Sequence, residues 1–273
     1  MKIFGGAGCA AVFGIALTIS RVASASQAPE NPLNDITETC THPPYKIHIF
    51  SLSPLVIYIV NFLTPEERQH LLSITSNAFT TSQTADEHGT SALRSTRKSR
   101  SATPPRDTIV RCIESRALLF QGLSTPLSHL EPLQLVQYTQ NETYDFHTDW
   151  FTSPSLASPS HGGNRLSSFF AYVLATDDIT GGGTTFPLLD APRDEKWCGY
   201  VDCDRPWDEG VTFLPVEGNA VFWVNMVGGQ GDQRTLHRGD VVTSGRKMGM
   251  NIWTREGELD PELRGEGWEE DEL

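Results

Sequence analysis

The stretch Tyr144-Asp145-Phe146-His147-Thr148-Asp149-Trp150 decides how the rest of the chain is read. His147 and Asp149 stand two positions apart, so on an extended strand both side chains leave the same face and can meet at one point. A lone His-x-Asp, taken alone, is better read as a surface pair or a structural hydrogen bond, and its neighbourhood must choose. That neighbourhood is β-rich. Residues 133–138, 167–174, 211–213, 220–224 and 249–254 are short apolar, β-branched and aromatic runs divided by turn residues. Strands at this spacing predict a sandwich or jelly-roll barrel whose open mouth suits a metal and a small substrate.

Ninety positions beyond His147, inside the same β-rich half, lies His237 in Thr235-Leu236-His237-Arg238-Gly239-Asp240. Two imidazoles and one carboxylate occupy one face of a ferrous octahedron. They leave three positions open, two for a bidentate organic acid and one for O2. An anionic cosubstrate held on a metal by one end needs a fixed cation at its other end. Lys247, ten residues after His237, can supply it. No G-x-S-x-G elbow occurs, which ranks a serine hydrolase last among the readings of a His and Asp pair.

His147-x-Asp149, His237, Lys247 ten positions on and Trp253 six beyond that resemble the prolyl 4-hydroxylase group of Fe(II)/2-oxoglutarate dioxygenases. The resemblance extends from about Pro54 to Arg255. Asn61-Phe62-Leu63-Thr64-Pro65-Glu66-Glu67 is similar to the family's helix start, and Glu131-Pro132-Leu133-Gln134-Leu135-Val136-Gln137-Tyr138 to one of its strands. Gly181-Gly182-Gly183-Thr184-Thr185-Phe186-Pro187 resembles its "GGxTxFP" turn, and Pro215 to Trp223 its "PxxGxAxxF" strand. No single motif is specific; together they are.

The resemblance implies an α+β fold with a double-stranded β-helix (jelly-roll) core and flanking N-terminal helices. It implies His147, Asp149 and His237 as iron ligands and Lys247 as partner of the far 2-oxoglutarate carboxylate. Tyr138 and Thr184 match positions lining the cosubstrate pocket, and Trp253 one near the reacting centre, with a barrel-core aromatic as its alternative. Arg165 and Tyr144 fall in matching stretches without an assigned role. The implied cofactors are Fe(II), 2-oxoglutarate and O2, with L-ascorbate to rescue oxidised iron. The implied substrate is peptidyl proline in a proline-containing peptide, or a small-molecule metabolite under the same chemistry. Residues 151–164 and 188–210 are longer than in a minimal member, which leaves substrate choice open. A non-catalytic, metal-bound β-barrel is the reading from another class, and Lys247 argues against it, because a closed structural site needs no remote cation.

The N-terminal half reads differently. Residues 54–60 have strand character, and Thr64-Pro65-Glu66-Glu67 starts a helix with Thr as N-cap, Pro at N1 and Glu at N3. Residues 80–108 are polar and read as a long loop, and 109–121 as a second helix. Residues 1–25 combine Lys2, an apolar and small-residue stretch and Ala23-Ser24-Ala25, the pattern of a signal peptide, or of a membrane anchor if uncleaved. Residues 26–45 read as a linker and 46–255 as the dioxygenase domain.

Residues 256–273 form an acidic tail whose Glu270-Asp271-Glu272-Leu273 ending resembles an endoplasmic reticulum retrieval signal. The two ends together favour the endoplasmic reticulum lumen. Cys9 lies in the signal; Cys40, Cys112, Cys198 and Cys203 allow two disulfides, with Cys198–Cys203 expected first. The chain of 273 residues carries a net charge of -13, which repels a phosphate backbone, so no nucleic-acid partner is expected. Asn141-Glu142-Thr143 is a glycosylation sequon.

Overall fold

The computed structural model describes residues 40–85, 91–92, 96–122 and 125–265. Of the two units into which the chain divides, Met1–Asn31 lies outside these residues, and everything below concerns Pro32–Leu273. The signal, most of the linker and the retrieval-like ending also lie outside them. Among the described residues no helix is long and apolar enough to cross a membrane.

Thirteen strands make two sheets. In chain order they are β1 (Lys46–Leu52), β2 (Leu55–Val60), β3 (Thr80–Thr81), β4 (Arg97–Lys98), β5 (Arg100–Ala102), β6 (Gln134–Tyr138) and β7 (Thr143–His147). Then follow β8 (Arg165–Ala175), β9 (Thr184–Phe186), β10 (Val211–Phe213), β11 (Ala220–Val224), β12 (His237–Gly239) and β13 (Lys247–Arg255). The major sheet runs β1-β2-β11-β8-β13-β6-β5-β3 and the minor sheet β10-β9-β12-β7-β4. All their pairings are antiparallel. The expected jelly-roll core is thus present.

Period-two alternation sorts the major sheet into two faces. Phe169, Ala171 and Val173 of β8, with Met248, Met250 and Ile252 of β13, join one apolar cluster with helix residues such as Leu71, Ile113 and Ala117. Phe170 and Tyr172, their chain neighbours on β8, join a second cluster with Val136 and Tyr138 of β6 and Val221 and Trp223 of β11, and it reaches Phe186, Val211 and Phe213 of the minor sheet. The first cluster mounts the helices on the sheet; the second lies between the sheets.

Helix α1 (Pro65–Ile74) begins as the sequence predicts. The Thr64 hydroxyl accepts from the Glu67 amide at 3.1 Å, and the Glu67 carboxylate accepts from the Thr64 amide at 2.9 Å. A reciprocal cap of this kind satisfies two otherwise orphaned donors. Glu67 also receives two hydrogen bonds from Arg116 of α2 (Thr108–Gln121), locking the helices together. Asp107 caps α2, and Gly122 ends it at φ 64, a left-handed conformation that glycine adopts without a Cβ penalty.

One reading is corrected. Residues 80–108 are not a bare loop: β3, β4 and β5 lie within them and extend both sheets. These strands are polar and short, and backbone pairing at a sheet edge needs no apolar side-chain pattern. β1 was likewise not anticipated as a strand. Both disulfides form, Cys40–Cys112 and Cys198–Cys203, each with Cα atoms 5.4 Å apart. The first fastens the chain ahead of β1 to α2.

Candidate active site

His147 closes β7 and His237 opens β12, and the two are direct partners across the antiparallel ladder. Cross-strand pairing brings side chains on one face together, and here it sets the imidazole centroids 4.2 Å apart. Asp149 is not on the strand, as the sequence reading had it, but in the bend that follows. It still converges: its Oδ1 lies 3.9 Å from each Nε2. Ligand atoms of the three residues all lie within 4.8 Å of one another, the only such group of three among the described residues.

The tautomers follow from the hydrogen bonds. His147 Nδ1 lies 2.7 Å from the Asp145 carbonyl oxygen, and His237 Nδ1 lies 2.9 Å from that of Thr235. A carbonyl only accepts, so each Nδ1 carries a proton and each Nε2 is the ring nitrogen left on the side of Asp149. Burial, and then the neighbouring His237, push the His147 pKa down to about 3. Burial alone would raise that of Asp149, but the two imidazoles, Arg165 and the Ser168 hydroxyl hold it below the usual carboxylate range. Two imidazole nitrogens beside a carboxylate are a donor set that suits a ferrous ion.

The two imidazole rings are packed by aromatic neighbours. Tyr144 stacks on His147 at 3.6 Å between centroids, while Phe186 and Trp223 pack on His237 at 5.3 and 4.9 Å. The Ser168 hydroxyl donates to Asp149 Oδ2 at 2.7 Å, and Arg165 reaches the Asp149 carbonyl at 3.5 Å.

The triad faces a cavity of about 410 Å³, also lined by Tyr138, Thr184, Arg165 and Trp253, a volume typical of small-molecule sites. Lys247 is fully buried behind the lining residues Tyr138 and Phe170. Its ammonium donates to the Gly182 carbonyl at 2.5 Å and stands 4.8 Å from the Tyr138 ring centroid. Burial pushes its pKa down to about 8, against the pull of Asp240, and pushes the Tyr138 phenol up to about 12. Gly239 lies beside these groups: a Cβ there would make ordinary van der Waals contact, at 3.8 Å, with both the Lys247 ammonium and the Tyr138 hydroxyl. Thr184 shares a 2.8 Å hydrogen bond with the Tyr172 hydroxyl.

Trp253 lies beside the opposite part of the cavity, under the Arg165 guanidinium at 3.6 Å, and Glu131 fixes that guanidinium through two hydrogen bonds of 2.6 and 2.7 Å. Six of the seven residues singled out from sequence therefore line one cavity, and the seventh, Lys247, stands behind its lining residues Tyr138 and Phe170. Ser168, Asn225, Tyr172 and Glu131 were missed. A polar residue at an inward position of an otherwise apolar strand was the available signal for Ser168.

Residues 133–255 match the family model of the 2OG-Fe(II) oxygenase superfamily. Prolyl 4-hydroxylase 1 of Arabidopsis thaliana is 29% identical over 217 residues, covering 77% of this chain and 72% of the relative. Prolyl 4-hydroxylase 5 of the same plant is 29% identical over 213 residues, covering 76% and 70%. Among solved structures, the viral collagen prolyl hydroxylase of Paramecium Bursaria Chlorella virus-1, in its 2OG complex, aligns with a TM-score of 0.52 at 20% identity. That alignment covers 73% of this chain and 95% of the viral one, and the likeness is one of fold.

Proposed function

From the premise that this chain is a 2-oxoglutarate-dependent dioxygenase of the prolyl 4-hydroxylase type, we propose that it hydroxylates proline within a peptide. The observation that carries this reading is the set of two imidazole Nε2 atoms and one carboxylate oxygen at a cavity with a buried ammonium behind its lining residues Tyr138 and Phe170. Bound together, Fe(II), 2-oxoglutarate and O2 supply the oxidation of a C–H bond to C–OH, with succinate and CO2 released.

The chain's own residues bind and orient. His147, Asp149 and His237 hold the iron. Lys247 neutralises the far carboxylate of 2-oxoglutarate, with the Thr184 and Tyr138 hydroxyls beside it. A carboxylate reaching Lys247 restores the charged form that burial opposes, so cosubstrate binding takes up a proton wherever the free lysine has lost one. Trp253, pinned under Arg165, offers an apolar face to the substrate at the reacting centre. Its similarity to the plant prolyl 4-hydroxylases supports proline as the target.

The same reading extends to domain limits of 46–255, to ascorbate as the reductant that keeps the iron ferrous, and to the endoplasmic reticulum lumen as the compartment. The two disulfides support an oxidising route, and the N-terminal pattern and terminal Asp-Glu-Leu support entry and retention. The first 25 residues then act as a cleaved signal or an anchor. Succinate release measured with a panel of proline-rich peptides and with small-molecule extracts tests the substrate. Peptide-dependent release with hydroxyproline formed is expected; release driven only by the small-molecule fraction would overturn the peptide assignment.

A further inference from the structure

Behind Asp149 runs a buried chain of hydrogen bonds that metal binding by itself does not demand. Asp149 Oδ2 accepts from the Ser168 hydroxyl at 2.7 Å, and the Ser168 oxygen lies 2.9 Å from Asn225 Nδ2. Ser168 and Asn225 are both fully buried. A serine hydroxyl has one proton, and an ionised carboxylate only accepts, so that proton goes to Asp149 and the Asn225 amide must donate in turn.

Asn225 is itself fixed through its backbone. Its N–H donates to the Leu166 carbonyl and its own carbonyl accepts from the Asp232 N–H, both at 2.8 Å. Its side-chain Oδ1 has no hydrogen-bond partner although buried. Buried acceptors are rarely left unpaired, so an amide kept here despite its orphaned oxygen points to a use for its N–H group.

We propose that Asn225 and Ser168 are positioning residues that hold Asp149 as a one-oxygen ligand. With Oδ2 committed to Ser168, only Oδ1 faces the imidazoles, at 3.9 Å from each Nε2. A carboxylate free to rotate can present both oxygens, and the second would take a position that 2-oxoglutarate or O2 needs. Outer-shell partners of this kind change metal affinity by about 10–100-fold. The inference rests on the reading of His147, Asp149 and His237 as metal ligands.

The test is Co(II) titration of the purified full-length protein without 2-oxoglutarate, followed by its visible absorbance, alongside thermal melts. Ser168→Ala is expected to raise the Co(II) dissociation constant about 10-fold or more and to alter the cobalt spectrum, and Ser168→Thr, which keeps the hydroxyl, to restore both. Asn225→Ala raises it less, and the double alanine variant no more than Ser168→Ala alone, because the amide acts through the hydroxyl. A lowered melting temperature with unchanged Co(II) affinity and spectrum in Ser168→Ala would overturn the proposal, as would additive effects in the double variant. His237→Ala separates the two levels: if it binds Co(II) as the unaltered chain does, the ligand assignment falls and the positioning role with it.

Discussion

Ser168 and Phe169 are neighbours on one strand, yet they belong to different enterprises. Phe169 faces out of the major sheet into the apolar cluster that mounts α1 and α2. Ser168 faces in and grips Asp149. The same contrast repeats along β13, where Met248, Met250 and Ile252 point outward while Lys247, Asn251 and Trp253 point inward. The outer face is apolar from Phe169 to Val173 and at Met248, Met250 and Ile252, with Ser167 and Thr254 bonded to Gln121 at its end, and supplies stability by burial. The inner face carries a buried ammonium, polar groups and aromatics around a cavity, all placed by the rigidity of the face behind it. One sheet divides stability from chemistry by the pleat alone.

This division can be broken in measurable ways. Asp149→Ala acts purely on the inner face, and is expected to lower 2-oxoglutarate turnover by more than the roughly 100-fold that marks loss of an outer-shell partner, with a melting temperature near that of the unaltered chain. Turnover at the unaltered level would remove Asp149 from the metal site. Phe169→Ala acts on the outer face: it should cost about 3–5 kcal/mol, or a fall in Tm on the order of 10 °C, while the folded fraction keeps its metal affinity. Loss of metal binding in folded protein would show that the two faces are coupled.

Lys247→Ala is expected to raise the 2-oxoglutarate concentration for half-saturation by about 30-fold or more, the loss of a buried charge pair worth at least about 2 kcal/mol. An unchanged requirement would displace Lys247 from its role. The smallest effect is that of pH. The folded pKa of Lys247 is about 8, below its ordinary 10.5. Between these values the unfolded chain binds a proton that the folded, ligand-free protein does not.

Stability should therefore rise with pH across that window, by up to about 1.4 kcal/mol per unit, and the burial penalty stands in full below pH 8. Comparing urea midpoints of the unaltered chain with Lys247→Met isolates this slope; equal slopes would show that Lys247 does not titrate there. Cosubstrate affinity runs the other way, weakening above pH 8 as the free lysine loses its proton.

The amino-acid sequence by itself determined the candidate ligand residue types and their spacing, the capped start of α1, the extent of α2, the β-rich character of the second half and the even set of cysteines. These are local properties: a cap, a helical face or a period of two is written in consecutive residues. Only the tertiary structure decided that β3, β4 and β5 are strands at all, because edge pairing is satisfied by backbone groups and leaves no mark in polar side chains. It also decided that Asp149 reaches the imidazoles from a bend, and that Ser168 and Asn225, 57 positions apart in sequence, stand behind it. Such contacts depend on which strands become neighbours, and that is settled by packing the whole chain around its two apolar clusters.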